Sequence, residues 1–233
     1  MTLTVHHLVG SQSERVIWLC EELGIDYELK KYERSPILAP AELKAKHPLG
    51  AAPIIIDGDV TLAESGACVE YICQTYGKGK FIVTPRQETY ADYLYWFHFA
   101  NGTLQPTLMC NLSLKLSGLS DNNGVMKSQL QKQKQLLEFM DERLSKVPYL
   151  AGSELTAADI MTFVCFTSMR CFFPYDLSGY DNILSYTRRV AQRDGYRRAM
   201  QKGDADADIE QLIGPDPPPM QKGLAAAIRG MGS

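Results

Sequence analysis

Over the first eighty residues the apolar positions change period every few residues, which predicts short strands alternating with helices. Residues 2–8 are β-branched at their start and read as a strand. From Ser11 the period lengthens. Val16, Leu19, Cys20 and Leu23 fall at i, i+3, i+4 and i+7, the stripe of a helix, and Gly24 stands where its stop belongs. Residues 27–32 form a second strand candidate, and 41–46 a short helix after Pro36 and Pro40. Ile54, Ile55 and Ile56 run into Asp57-Gly58, a strand entering a tight hairpin, with 60–62 returning. Ser65 opens a helix to about residue 76 in which Cys68, Tyr71, Ile72 and Thr75 share a face.

Gly77-Lys78-Gly79-Lys80 marks a linker, and everything beyond it reads as helix. Thr84, Pro85 and Gln87 have the spacing of a cap, a first-turn proline and a capping-box partner, so a helix is expected to start there. The aromatic-rich run that follows reaches about residue 116, bent or interrupted at Gly102 and Pro106. Residues 125–144 carry Leu130, Leu136, Leu137, Met140 and Leu144 on a further helix. At 155–160, Thr156 and Asp159 form a capping box and Leu155 can staple onto Ile160. The helix it opens, to about Cys171, is apolar nearly all round and belongs in the centre of a bundle. Residues 182–190 look amphipathic, and Arg188, Arg189, Arg193, Arg197 and Arg198 read as a solvated helix face. Beyond Gly203 the chain turns polar, as a mobile tail or a segment lying on the surface. The expected units are 1–78, 86–203 and a tail at 204–233.

Composition narrows the possibilities. With 233 residues the chain can bury a real core as one large domain or two small ones. A net charge of -3 without a basic stripe speaks against a nucleic-acid partner. No apolar run approaches the roughly 18 residues a membrane span needs. MTLTVHHLVG lacks the basic-then-apolar order of a signal peptide. The six cysteines show neither a Cys-x-x-Cys pair nor a metal-ligand spacing, which fits a reduced, cytoplasmic protein with no metal.

A strand–helix–strand unit followed by a hairpin and a helix is the thioredoxin-like plan. Joined to an all-helical half, it resembles the soluble glutathione transferases. Gly10-Ser11-Gln12-Ser13-Glu14-Arg15 resembles the first-helix motif of their serine-type classes. His47-Pro48-Leu49-Gly50, Pro53 and Leu62-Ala63-Glu64-Ser65-Gly66 are similar to the glutathione-site run of a fungal and bacterial branch. Asn101-Gly102-Thr103-Leu104-Gln105-Pro106 is similar to that branch's second-domain motif. The branch carries Lys or Arg where this chain has Ala51, and Glu where it has Asn101. Arg34, Lys44 and Lys46 are the cations that could replace the one missing at Ala51.

The resemblance implies an enzyme that conjugates glutathione to small hydrophobic electrophiles, with possible peroxidase side activity. Glutathione would be a co-substrate rather than a permanently bound cofactor, and the enzyme a homodimer. A free thiol has a pKa of about 8.5. Lowering it by two units takes about 2.7 kcal/mol of preference for the thiolate. One hydrogen bond to a charged group contributes about 1.5–3 kcal/mol, and a helix N-terminus up to about 2. Ser11, between strand and helix, can therefore supply what is needed as a donor to sulfur, although a plain N-cap is the simpler role. Ser13 is the reserve for the thiolate and the better candidate for the cap. The resemblance also implies a cis Ala52–Pro53 bond, leaving the Ala52 backbone to pair with the cysteinyl unit. Glu64 would take the γ-glutamyl ammonium and Ser65, opening a helix, the carboxylate. Tyr95, Phe97, Asn101, Leu104 and Leu108 are the expected electrophile pocket. Two other readings stand beside this one. A thiol reductase needs a cysteine where Ser11 and Ser13 lie, and a binding or regulatory module without turnover is favoured by Ala51. A serine hydrolase fails for want of Gly-x-Ser-x-Gly. His6 and His7 read as strand residues facing opposite sides.

Overall fold

The computed structural model describes residues 2–35, 37–221 and 224. Its N-terminal half runs β1 (Leu3–Leu8), α1 (Glu14–Leu23), β2 (Tyr27–Tyr32), α2 (Ala41–Lys44), β3 (Ile54–Asp57), β4 (Val60–Ala63) and α3 (Ser65–Thr75). The sheet has the order β2-β1-β3-β4, with β1 parallel to β2 and β3 antiparallel to both β1 and β4. This is the expected thioredoxin-like plan. Strand periodicity sends alternate side chains to opposite faces. Leu3, Val5 and Ile55 meet the main core with α1 and α3, while Leu8, Tyr32 and Ile54 meet a smaller cluster with Leu43 of α2. Gly24 closes α1 with φ at 65°, a conformation that favours glycine.

The helical half consists of α4 (Tyr90–Phe99), α5 (Gln105–Leu116), α6 (Gly124–Leu144), α7 (Ala157–Phe163), α8 (Asp181–Ala191), α9 (Asp194–Gly203) and α10 (Ile209–Ile213). The start expected at Thr84 is a local turn instead. Gln87 Oε1 accepts from both Thr84 N and Thr84 Oγ1, and the helix itself begins at Tyr90. Between α4 and α5, Ala100–Leu104 forms a π-turn in which Gln105 N–H reaches back five residues to Ala100 O. Pro106, which has no N–H to give the preceding turn, sits just beyond it.

The Thr156–Asp159 capping box is formed, and α7 is fully buried. It stops at Phe163 rather than continuing to Cys171. Two 3-10 turns follow, Val164–Phe166 and Ser168–Cys171, broken at Thr167. There the hydroxyls of Thr167 and Ser168 turn to the buried Glu14 carboxylate of α1. A side chain committed to a distant partner competes with helix continuation.

Two expectations are corrected by contacts between distant segments. Part of the arginine cluster is not a solvated face. Arg193 grips Glu22 with two bonds at 2.7 and 2.8 Å, and Arg198 and Lys202 bind Glu21, so these residues clamp α9 onto α1. Gly195 permits the approach, because a Cβ there would meet Glu22 Cδ at 2.6 Å. Of the two readings of the tail, residues 204–221 follow the surface-lying one. The buried Arg170 guanidinium donates to the carbonyls of Leu212, Gly214 and Asp216 at 2.6, 2.9 and 2.9 Å. The rest of the tail lies outside the described residues, apart from Leu224. No described helix is long and apolar enough to cross a membrane.

Candidate active site

β1 ends at Leu8 and the chain turns through Gly10 into α1, placing Ser11 half-buried in the wall of a cleft between the two halves. A cavity of about 450 Å³ opens beside it. On the thioredoxin-like side the cavity meets Gln12, Ala51 and Ala52, and on the helical side Gln105, Met109 and Phe172. A smaller space shares Gln12, Ala51 and Ala52 and continues along Pro53, Glu64 and Ser65. The cleft is therefore polar at the Glu64–Ser65 end, has Ser11 and Ala52 between, and is apolar beyond them. The Ala52–Pro53 bond is cis, as the resemblance implied, and Ala52 precedes the first paired residue of β3, Ile54.

The two serines have different surroundings. Ser13 is fully buried, and its Oγ lies 2.8 Å from His7 Nδ1 and accepts from Leu8 N–H at 3.1 Å. It stands at the N-cap of α1, yet its hydroxyl caps nothing. Burial withdraws it from any ligand in the cleft. Ser11 Oγ accepts from Ser13 N–H at 3.2 Å and shares a 2.7 Å bond with Ser13 Oγ. His6 and His7 do face opposite ways, His6 to Tyr32 and His7 to Ser13.

Ser65 and Glu64 lie at the start of α3. Glu64 is exposed in the cleft with φ at 72°, a left-handed conformation that costs a non-glycine residue about 1–3 kcal/mol and is concentrated at functional sites. Ser65 is 2% exposed. Its Oγ accepts from Arg15 Nη1 at 2.9 Å and Asn101 Nδ2 at 3.1 Å, and donates to Gln12 Oε1 over a long 3.4 Å. The Arg15 guanidinium was not picked out from sequence. It is fully buried and donates to Met161 O, Gln12 Oε1, Ser65 Oγ and Gln105 Oε1, all neutral acceptors. Burial pulls its pKa down to about 10, so it stays charged at neutral pH. A cation without a carboxylate on it, behind a helix N-terminus, favours an anion in the adjoining cleft.

The expected electrophile pocket needs correction. Asn101 reaches the network, but Leu104 and Leu108 are core residues at 0% and 1% exposure. Phe97 packs beneath Gly66 of α3, and Tyr95 lies against Trp96, Phe99 and Phe139 on another face of α4. The cause is the π-turn. An uninterrupted α-helix carries the face of Phe97 and Asn101 on to 104 and 108 at i+7 and i+11. One extra residue in the turn carries it to 105 and 109 instead, and Gln105 and Met109 line the cavity.

Of the cations proposed for the position of Ala51, Arg34 is already committed to the carbonyls of Val9, Ile37 and Gly10 at 3.0, 2.7 and 2.7 Å. Lys44 and Lys46 are exposed, and the stem of Lys44 lies against Gly50. Cys20 is fully buried and its thiol is pushed up by burial, the opposite of what a reductase nucleophile needs.

A thioredoxin-like half, a helical half and a cleft between them that is polar at one end and apolar at the other define a glutathione-transferase fold. Residues 1–74 match the family model of the glutathione S-transferase N-terminal domain, and residues 109–194 that of the C-terminal domain. Glutathione S-transferase 3 of Schizosaccharomyces pombe is 31% identical over 94% of this chain and 98% of its own length. Glutathione S-transferase 1 of Saccharomyces cerevisiae is 27% identical over 87% and 96%. A crystal structure of a glutathione S-transferase from Actinobacillus pleuropneumoniae superposes with a TM-score of 0.78 at 29% identity, covering 91% of this chain and 99% of that one. The chain belongs to the glutathione S-transferase family.

Proposed function

We propose that this chain is a serine-type glutathione transferase that joins the glutathione thiolate to small hydrophobic electrophiles. The observation that carries the reading is the place of Ser11. It is half-buried where the polar end of the cleft gives way to the apolar cavity, which suits a sulfur shared between a peptide and an apolar partner. Its hydroxyl donates to the thiolate, and Ala52 pairs with the cysteinyl backbone as a short added strand. Glu64 takes the γ-glutamyl ammonium. The Ser65 hydroxyl, whose own proton is engaged only at 3.4 Å, takes the γ-glutamyl carboxylate with the N–H groups of α3 and the charge of Arg15 behind it. Lys44 is the cation we assign to the glycine carboxylate. Met109, Leu112, Met169 and Phe172 hold the electrophile, and hydroperoxides reaching the same thiolate would give a peroxidase side activity.

Glutathione is on this reading a co-substrate consumed at each turnover, and the protein is a homodimer. The free state of all six cysteines favours the cytoplasm.

A second reading, a binding module without turnover, is favoured by Ala51 and by the commitment of Arg34 to three carbonyls. Retention on glutathione-agarose together with turnover of a generic aryl halide separates the two. The transferase reading expects retention, turnover, and a fall in kcat for Ser11→Ala without loss of fold. Retention without turnover, or unchanged kcat in Ser11→Ala, would defeat it.

A further inference from the structure

Behind Ser11 runs a buried chain of polar groups that glutathione binding does not itself require. Ser11 Oγ lies 2.7 Å from Ser13 Oγ, which lies 2.8 Å from His7 Nδ1. The other ring nitrogen, Nε2, has no hydrogen-bond partner but stands 3.2 Å from Asp204 Oδ2 as an ion-pair contact. Asp204 is tied in turn to the active-site turn, accepting from Gly10 N–H at 2.6 Å. The four residues come from β1, the β1–α1 turn and the end of α9, almost two hundred positions apart. Gly203 makes the meeting possible, since a Cβ there would lie 2.8 Å from Ile17 Cδ1 and 3.1 Å from His7 Nε2.

We infer that His7 is the base that receives the thiol proton of glutathione, passed through Ser11 and Ser13, and that Asp204 holds the resulting imidazolium. The inference rests on Ser11 meeting the sulfur. A carboxylate 3.2 Å from Nε2 places the proton of a neutral imidazole on that nitrogen, leaving Nδ1 as the acceptor. In that state Ser13 donates to His7, Ser11 donates to Ser13, and the thiol donates to Ser11. One concerted shift then moves each proton to its neighbour. The sulfur keeps the S–H bonding pair and becomes thiolate, Ser11 and Ser13 each lose one proton and gain one, and His7 Nδ1 gains one.

Afterwards every bond in the chain runs the other way. His7 donates to Ser13, Ser13 to Ser11, and Ser11 to the thiolate, the arrangement that stabilises the anion. Both hydroxyls keep full coordination in both states. Ser13 Oγ accepts from Leu8 N–H throughout, and Ser11 Oγ from Ser13 N–H throughout. With a neutral, acceptor-only Nδ1, by contrast, the proton of Ser11 is turned inward and the thiolate has no donor.

His7 is fully buried, so Asp204 is what makes its charge tolerable. The register partner of His7 on β2, Lys31, is exposed, and His6 faces the other side of the sheet. Around Asp204 stand Glu14, Arg34, Cys171 and Tyr196. Burial pushes the Glu14 carboxyl and the Cys171 and Tyr196 protons upward, towards their neutral forms, and Arg34 is the cation among these neighbours.

His7 and Asp204 are positioning residues that act through Ser11, and proton counting separates this role from a structural one. Calorimetry of glutathione binding at neutral pH, in two buffers of different ionisation enthalpy, gives the protons released, and thiolate absorbance gives the thiolate formed. The relay expects the parent protein to form thiolate while releasing close to no proton, because the proton stays on His7. Asp204→Asn keeps an acceptor for Gly10 N–H and removes the charge. His7→Gln keeps a polar side chain that cannot take a proton. Each should lower the thiolate fraction about tenfold, one pKa unit, and neither should lower it further in a Ser11→Ala background. Release of about one proton per thiolate by the parent would overturn the relay without need of any variant, and so would unchanged thiolate in Asp204→Asn. A Ser11→Ala protein with parental thiolate would instead overturn the assignment of Ser11 itself.

Discussion

Replacing Ser65 by alanine separates what its hydroxyl does for the fold from what it does for the ligand. The residue is 2% exposed, and its Oγ ties Arg15, Asn101 and Gln12 together. Without the oxygen, Arg15 Nη1 keeps Gln12 at 2.9 Å. Asn101 fares worse, because its Nδ2 loses Ser65 and its Oδ1 already has no partner. One buried neutral donor left unpaired costs about 1–3 kcal/mol. For a chain of this length that lowers Tm by about 2–12 °C. If the hydroxyl also meets the γ-glutamyl carboxylate, a hydrogen bond to a charged group is lost, about 1.5–3 kcal/mol, and Kd for glutathione rises about 10- to 150-fold. Asn101→Ala removes the same interior bond and spares the hydroxyl. It leaves no donor unpaired, since Ser65 Oγ keeps Arg15 Nη1, so it should lower Tm less and leave Kd where it was. Thermal melts and titration calorimetry on the two variants read both quantities. A Ser65→Ala protein that melts early but binds glutathione like its parent would remove Ser65 from the γ-glutamyl site.

The cavity proposed for the electrophile makes its own prediction. Met109→Ala and Phe172→Ala should raise KM for an apolar co-substrate while leaving KM for glutathione unchanged, and Tyr95→Ala should move neither, as steady-state kinetics would show. The buried capping-box carboxylate predicts a pH dependence of stability. Burial raises Asp159 from 3.8 to about 6 against the pull of its donors Leu150 N–H, Thr156 N–H, Thr156 Oγ1 and Tyr186 OH. The folded state therefore holds this proton more tightly than the unfolded chain. The group's favourable contribution is complete below pH 3.8 and is lost as pH rises through about 6, a span worth about 3 kcal/mol. Denaturant titrations should find that slope reduced between pH 4 and 6 in Asp159→Asn.

Much of the fold was legible because its signals are local. The isoleucines before Asp57-Gly58 could only alternate between two faces, Gly24 could only close a helix, and Thr156 needed Asp159 just one turn away. The cleft was partly legible for the same reason, since Ser11, Ala52, Glu64 and Ser65 sit at strand ends and a helix start that the pattern already marked. What escaped depends on distance along the chain or on helix geometry. Leu104 and Leu108 were the right choice for an unbroken helix, but the π-turn moved the face to Gln105 and Met109. Arg15 looked like an ordinary helix charge until Met161 and Gln105 closed around it. Glu21 and Glu22 gave no sign that they would receive Arg198 and Arg193. Nothing in a polar tail announced that Asp204 would meet His7.

The decisive measurement is a crystal structure of the protein with glutathione bound. The sulfur is expected within hydrogen-bond reach of Ser11 Oγ, the cysteinyl backbone paired with Ala52, and the γ-glutamyl end at Glu64 and Ser65. Glutathione bound with its sulfur turned away from Ser11, or a cleft still empty at saturating peptide, would contradict this placement.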